Sequence, residues 1–370
     1  MKLDEFLVSP AETARRKGPH DRIVMSSRVR LARNVQDAAF PGWAKKPERV
    51  RALELIQPAV EDLPELKGAF SETMDNLTQL DRQILVERHL ISREHAARSA
   101  GSGLVLNREE TFCVMINEED HLRMQALRPG LQLRQAWGAI DKLDSELETR
   151  LDYAFNPELG YLTACPTNLG TGIRVSAMLH LPGLVLAEQI NAIIQSVNKL
   201  GLAVRGLYGE GTEALGNVFQ VSNQMTLGES ETAIVERMEK VLAQIIEHEE
   251  NSRASLLEKK PKTVFNHIGR AYGVLANAHS ISSKETMNLL SLLRLGVDLE
   301  MFPGVDRSLA DELFISTQPA HLQKAHADKL TAEERDLLRA DMLRERLQAV
   351  NRPVARIKGT GGGGLDKATN

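Results

Sequence analysis

The feature that most restricts what this chain can fold into is a change of period partway along it. Up to about residue 253, short β-rich segments alternate with helical ones; beyond Lys259 only helical periodicity remains. Thr111–Asn117 (TFCVMIN) is apolar and β-rich, and Ile173–Leu181 (IRVSAMLHL) alternates apolar with polar side chains. Leu202–Tyr208 and Asn217–Met225 read as two further strands. Leu184–Leu200 repeats apolar residues at helical steps and stops at Gly201, which predicts one helix with a left-handed cap. Ile234, Val235, Met238, Val241, Leu242, Ile245 and Ile246 form the stripe of a long amphipathic helix. Farther on, Ser282 with Glu285 and Thr331 with Glu334 have capping-box spacing, and Leu338, Met342, Leu343 and Leu347 mark a helix with a charged back. The expected organisation is an irregular segment (1–22), a mixed domain (23–253), a helical domain (259–352) and a tail (353–370) whose GTGGGG run has linker composition. The boundary is placed at 252–262, where EENSRASLLEKKPK is polar and meets a proline.

Composition removes several function classes. A net charge of −4 gives no bulk attraction for nucleic acid, and 4% aromatics argue against a base-stacking surface. Two cysteines, Cys113 and Cys165, exclude a disulfide framework or a four-thiolate zinc site and fit a reducing compartment. Ten histidines occur without an HExxH or comparable spacing, so no protein metal site is expected. Met1–Pro10 lacks a signal pattern, and no apolar run approaches a membrane span. A cytoplasmic protein without membrane or nucleic-acid partners is the expectation.

The informative excess is arginine in short segments bearing Gly or Ser. Arg28 and Arg30, in Ser26-Ser27-Arg28-Val29-Arg30, stand at i and i+2, which on a strand puts both guanidinium groups on one face. Arg123 closes NEEDHLR, Arg174 follows the turn NLGTG, and Arg205 precedes GLYGEG. Singly, each would be an ordinary surface charge. Together they suggest a clamp of permanently charged forks around a polyphosphate.

These motifs are also recognisable. SSRVRLARN (26–34), NEEDHLR (117–123), CPTNLGTGIR (165–174) and RGLYGEGTEALGNVFQVSNQ (205–224) resemble, in content and order, those of the ATP:guanidino phosphotransferase family. The resemblance covers roughly residues 23–253. Three features resemble its protein-arginine kinase branch. SSRVR is reached by residue 26, whereas kinases of free creatine or arginine carry a helical domain first. RGLYGEGTEALGN looks like that branch's version of the motif. Finally, Arg335-Asp336-Leu337-Leu338-Arg339-Ala340 matches the RDxxRA signature of its phosphoarginine-sensing domain.

The resemblance implies an α+β fold, an antiparallel sheet flanked by helices, followed by an all-helical domain. It implies that Glu119 and Glu210 hold the substrate guanidinium. A guanidinium has a pKa of roughly 12.5–13.8, so it must lose a proton as it attacks phosphorus, and a carboxylate pair can orient it and take that proton. Glu118 is assigned a supporting role, because on a strand it would point away from Glu119. Cys165, beside cationic groups, is expected to ionise readily and to position the substrate without covalent catalysis. Cys113 is read as a buried structural cysteine. The nucleotide side is assigned to Ser26, Ser27, Arg28, Val29, Arg30, His89, Arg123, Arg174, Val175, Ser176, Ala177, Met178, Arg205, Gly206, Leu207, Tyr208 and Gly209. ATP is the implied donor, with Mg²⁺ held mainly by nucleotide and water.

In the C-terminal domain Arg335 and Arg339 stand at i and i+4, with Asp336 between them, a charge set complementary to phosphoarginine. The expected function is phosphorylation of arginine side chains in proteins, marking them for Clp-type degradation under allosteric control by phosphoarginine. An activating adaptor, a Clp unfoldase and a homodimer are implied partners. A kinase of free arginine or another small guanidino compound, and an inactive phosphoarginine-binding adaptor, are the competing readings.

Overall fold

A computed structural model describes residues 17–206, 214–326 and 328–354. Its centre is β1 (Val24–Arg33), whose sequence VMSSRVRLAR sends Val29 and Leu31 to one side and Ser26, Arg28 and Arg30 to the other. Around it stand β2 (Phe70–Thr73), β3 (Gly103–Leu106), β4 (Phe112–Ile116), β5 (Leu122–Pro129), β8 (Ile173–His180), β9 (Leu202–Gly206) and β10 (Val218–Asn223). They form one eight-stranded sheet in the order β2-β3-β4-β5-β1-β8-β10-β9, antiparallel at every pairing. A small hairpin, β6 (Phe155–Asn156) with β7 (Gly160–Tyr161), stands apart.

Register decides what each face carries, because directly opposed residues share a side. Arg28 lies opposite Leu127 and Ser176; Arg30 opposite Gln125 and Arg174; Ala32 opposite Arg123; Gln220 opposite Met178 and Arg205. Five arginines from four strands therefore share one face. The other face presents Val29, Leu31, Met124, Ala126, Val175, Ala177 and Val221 to the main core. It is covered by α1 (Lys46–Glu61), α4 (Leu133–Glu148) and α7 (Glu231–Lys259), whose Ile56, Ile140 and Leu242 are fully buried. At the β2–β4 end the arginine face itself is roofed. Phe70, Leu104, Leu106, Cys113 and Met115 pack there with Leu85 of α2 (Gln79–Glu87) and Ala96 of α3 (Arg93–Ala96). Burial pushes the Cys113 thiol above its ordinary range, and Sγ donates to the Leu90 carbonyl, a structural role as expected.

One local expectation differs, and one boundary takes an unexpected form. Leu184–Leu200 is not one helix: α5 (Pro182–Leu186) and α6 (Ile190–Lys199) are separated at Glu188, whose φ of +58° turns the chain left-handed, so the apolar spacing ran across a corner. The stretch at 252–262, where the boundary is placed, is helical on either side of Lys260. The 29-residue α7 runs to Lys259, and α8 (Pro261–Asn277) starts after Lys260, with Pro261 at a first-turn position where its missing N–H costs nothing. Ser252 and Arg253 look polar in sequence but are buried.

Beyond α7 come α9 (Ser283–Asp298), α10 (Ser308–Ser316), α11 (Pro319–Lys324) and α12 (Ala332–Leu347). Ser282 caps α9 through the Glu285 N–H, and Thr331 and Glu334 make the full capping box of α12. A second core of Ile268, Leu275, Leu290, Leu293, Leu313, Phe314, Leu343 and Leu347 lies among them, with Leu256 and Leu257 of α7 packed against it. On α12 the inward positions are Arg339, Ala340, Leu343 and Leu347, while Leu338 and Met342 are only half-buried. The two cores meet across buried charges. Arg253 binds Glu249 (2.6 Å) and Asp298 (3.2 Å); Arg294 binds Asp311 (2.7 Å) and Asp298 (3.5 Å) and donates to His180 Nδ1; Arg307 reaches Asp21 and Asp298. Among the described residues, no helix is long and apolar enough to cross a membrane.

Candidate active site

The arginine face opens into a cleft. A pocket in it is lined by Ser26 and Arg28 of β1, Leu127 of β5, Ser176 and Met178 of β8, Gln220 of β10, and His89 just past α2. His89 sits at φ +60° after the helix end, and burial, with Arg28 nearby, lowers its pKa to about 4, so it is a neutral ring at pH 7. Arg28 donates to Gln220 Oε1 at 2.9 Å, and Arg174 to Ser222 Oγ at 3.2 Å. Burial, reinforced by Arg123 and Arg174, brings the Arg28 guanidinium down to about 10. Burial together with Arg28, Arg123 and Arg174 lowers Arg30 well below its ordinary value, with Glu118 opposing. Burial, then Arg205 and Arg123, also lowers Arg174, while Cys165 favours its charge.

Mutually repelling cations left in a recess are a poor arrangement for an empty protein. The buried Nε atoms of Arg30, Arg123 and Arg174 have no hydrogen-bond partner among the described residues. Such orphaned donors mark the place of an absent acceptor, and a polyphosphate has the charge and oxygens to meet all three.

Glu118 and Glu119 occupy the turn between β4 and β5, not a strand, so pleat alternation does not separate them. Tertiary partners do. The Glu118 side chain is 4% exposed and bound to Arg123 Nη1 (3.1 Å) and the Ser92 hydroxyl, whereas Glu119 is 45% exposed and 3.7 Å from Arg123. Burial works against the Glu118 anion, but Arg123 and Ser92 outweigh it and hold its pKa below the usual range. Burial, aided by Asp120, raises that of Glu119. One glutamate is thus a fixed counter-ion; the other is accessible and more basic.

Cys165 precedes a single turn, Pro166–Asn168, and its Sγ lies 3.0 Å from Thr167 Oγ1. The loop is pinned on both sides. Asp120 Oδ1 accepts from Ala164 N and Asn34 Nδ2, both at 2.7 Å, which ties the glutamate turn to the cysteine loop. On the far side Thr226 Oγ1 donates to the carbonyls of Thr167 and Leu169. Gly170 (φ +104°) leaves no room for a side chain, since a Cβ there would stand 2.8 Å from the Thr226 carbonyl oxygen.

Of the sequence-predicted positions, Ser26, Arg28, Arg30, His89, Arg123, Arg174, Ser176, Met178 and Arg205 share the cleft face or its pocket, and Glu119 and Cys165 lie at the same sheet end as Arg123 and Arg174. Val29, Val175 and Ala177 do not: their side chains belong to the core on the opposite face. Ser27 is likewise withdrawn, donating to the Gly130 carbonyl and accepting from Gln132 N. Gly206 ends β9. Leu207, Tyr208, Gly209 and Glu210 lie outside the described residues. Sequence reading missed Asn34, Asp120 and Gln220; all three lie inside quoted motifs, but only their long-range bonds give them a role. Among the described residues no group of three or more His, Cys, Asp or Glu could hold a metal ion.

In the C-terminal region, Arg339 is 1% exposed and donates to the carbonyls of Thr317 and Ile281, both at 2.8 Å, and to Asp336 Oδ1. Arg335 donates to the Leu330 carbonyl. The two arginines thus differ: only Arg335 is near the surface, and Asp336 already neutralises its neighbour.

Comparison with known proteins adds two family matches. Residues 52–252 match the family model of the ATP:guanido phosphotransferase C-terminal catalytic domain, and residues 261–358 match that of the protein-arginine kinase McsB C-terminal domain. The protein-arginine kinase of Bacillus subtilis is 45% identical over 350 residues, covering 94% of this chain and 96% of that relative. That of Halothermothrix orenii is 45% identical over 331 residues, covering 90% and 95%. Among solved structures, a lombricine kinase aligns with a TM-score of 0.56 and 25% identity over 67% of this chain and 72% of its own. A duplicated taurocyamine kinase from Schistosoma mansoni gives 0.56 and 27% over 71% of this chain and 39% of its own.

Proposed function

The chain belongs to the ATP:guanido phosphotransferase family, with the protein-arginine kinases, and from that premise we propose how its cleft divides the work. It is an ATP-dependent kinase of arginine side chains in proteins. Phosphoryl transfer asks a protein for positioning and charge neutralisation more than for covalent chemistry. Arg28, Arg30, Arg123, Arg174 and Arg205 grip the phosphates, and His89, neutral, closes the pocket beside the base. Mg²⁺ would supply neutralisation of the phosphate charge and would be held mainly by nucleotide and water, since no group of three or more His, Cys, Asp or Glu among the described residues could hold it.

On the acceptor side Glu119 and Glu210 take paired N–H bonds from the arginine, and Glu119, made more basic by burial and Asp120, receives the proton as the N–P bond forms and the bond from the γ-phosphorus to the bridging oxygen breaks, releasing ADP. Glu118 keeps Arg123 aimed, and the Cys165 thiol orients the guanidinium. The observation that carries this reading is the trio of arginine Nε atoms that have no hydrogen-bond partner among the described residues, beside the glutamate turn. Comparing Glu210→Ala with wild type, by acid-labile phosphate on an unfolded protein, tests it. Equal yields would remove Glu210 from the mechanism, and label on free arginine alone would replace the acceptor class.

The same reading makes Arg335, Asp336 and Arg339 a phosphoarginine site in which the ligand's guanidinium competes for Asp336 and its phosphoryl group meets the two arginines. It has the product pass to a Clp-type unfoldase in the cytoplasm, with a homodimer and an activating adaptor. Titrating phosphoarginine against wild type and Arg335→Ala, with kinase rate as readout, checks the site; an identical response would discard it.

A further inference from the structure

Glu87, in the last turn of α2, stands outside every role assigned so far. Its carboxylate accepts from the backbone N–H groups of Ala320 (2.8 Å) and His321 (3.1 Å) and from His321 Nδ1 (2.7 Å). Those amides open α11, whose own N-cap, Gln318, makes no side-chain cap bond. A residue of the kinase region therefore supplies the cap of a C-terminal helix. A second tie, Lys324 Nζ to Asp81 Oδ1 at 2.9 Å, joins the same two helices.

Two residues after Glu87 stands His89, lining the pocket. Its left-handed backbone (φ +60°) is unfavourable in a non-glycine residue, so neighbouring contacts must hold it. From the sheet side, Arg88 pairs with Glu110, and Gln125 Nε2 donates to the His89 and Leu90 carbonyls. From the other side, Glu87 fixes the end of α2 to α11. Behind α11, the Thr317 carbonyl accepts from Arg339 Nε. An unbroken series of direct contacts thus runs from Asp336 and Arg339, through Thr317 and α11, to Glu87 and the nucleotide pocket.

We propose that Glu87 is a positioning residue for ATP, and the point at which the C-terminal helices act on the nucleotide. This rests on the reading of the His89 pocket as the ATP site. The test measures KM for ATP, KM for an unfolded protein acceptor, and kcat in wild type, His89→Ala, Glu87→Ala, Glu87→Gln and His321→Ala. Glu87→Ala should raise the ATP KM by about fivefold or more, with kcat and the acceptor KM within about twofold. Glu87→Gln, which retains an acceptor oxygen for the amides, should recover part of the loss, and His321→Ala should shift the ATP KM in the same direction by less. A residue that merely stabilised the fold would lower the active fraction and spare the ATP KM. If Glu87→Ala does not fold, His321→Ala carries the test, since it leaves α2 untouched. An ATP KM altered by His89→Ala but unmoved by the Glu87 and His321 variants overturns the proposal alone. One unmoved by His89→Ala overturns the pocket reading and this proposal together.

Discussion

Arginines occupy two recesses of this molecule and obey opposite rules. At the junction of the two cores, Arg253, Arg294 and Arg307 are matched by Glu249, Asp298, Asp311 and Asp21, so each buried cation faces an anion. In the cleft, Arg28, Arg30 and Arg174 face one another, with Glu118 committed to Arg123 and Glu119 turned outward. Residue type is the same; the bookkeeping of charge is not. A paired buried cation serves the fold, whereas an unpaired one waits for a ligand.

That contrast can be broken at its most sensitive point first. Glu119→Gln should lower kcat about 10²–10⁴-fold, the usual cost of losing a positioned base, and leave the unfolding midpoint in place. Arg294→Ala should do the reverse, destabilising by about 3–5 kcal/mol because Asp298 and Asp311 lose a buried partner. Denaturant titration reads that loss. Arg30→Ala sharpens the comparison: ATP should bind about tenfold more weakly, while stability holds or rises as repulsion among the cations is relieved. A clear drop in stability would place Arg30 with the junction arginines instead.

A further test varies pH. Burial is the leading cause that lowers His89, His95 and His121 to about 4, and His180, at the junction, falls well below its usual value. Each folded-state pKa lies below the unfolded one, so below about pH 6.5 the unfolded chain binds more protons. Stability should therefore be fully present above that pH and fall as pH drops toward 4, by on the order of 1.4 kcal/mol per pH unit for each proton taken up. Unfolding midpoints between pH 7 and 4.5 check this, and a flat profile would contradict it.

The sequence carried the contrast only in part. The i, i+2 spacing of Arg28 and Arg30 was enough to place both on one face, because pleat is local. That Arg123, Arg174 and Arg205 join them depends on strand register across residues far apart in sequence, which no local pattern encodes. The ranking of Glu119 over Glu118 was drawn from strand alternation, yet the structure separates the two by burial against Ser92 and Arg123 in a turn. The i, i+4 spacing groups Arg339 with Arg335 as a fork for phosphoarginine, but it does not show that Arg339 is buried against the Thr317 and Ile281 carbonyls, contacts that belong to tertiary packing. The burial of Ser252 and Arg253 is hidden in sequence for the same reason: polar residues satisfied by distant partners look soluble until the partners are known.

The 29-residue α7 is a beam of about 44 Å at 1.5 Å per residue, rooted in one core and ending in the other. Dissecting the gene at residue 253 would strip Arg253 of Asp298 and leave Leu256 and Leu257, packed on the downstream core, on a short stub severed from the rest of α7. Neither fragment would inherit a finished surface, so recombination that swapped either half among relatives would have to carry the whole helix with it.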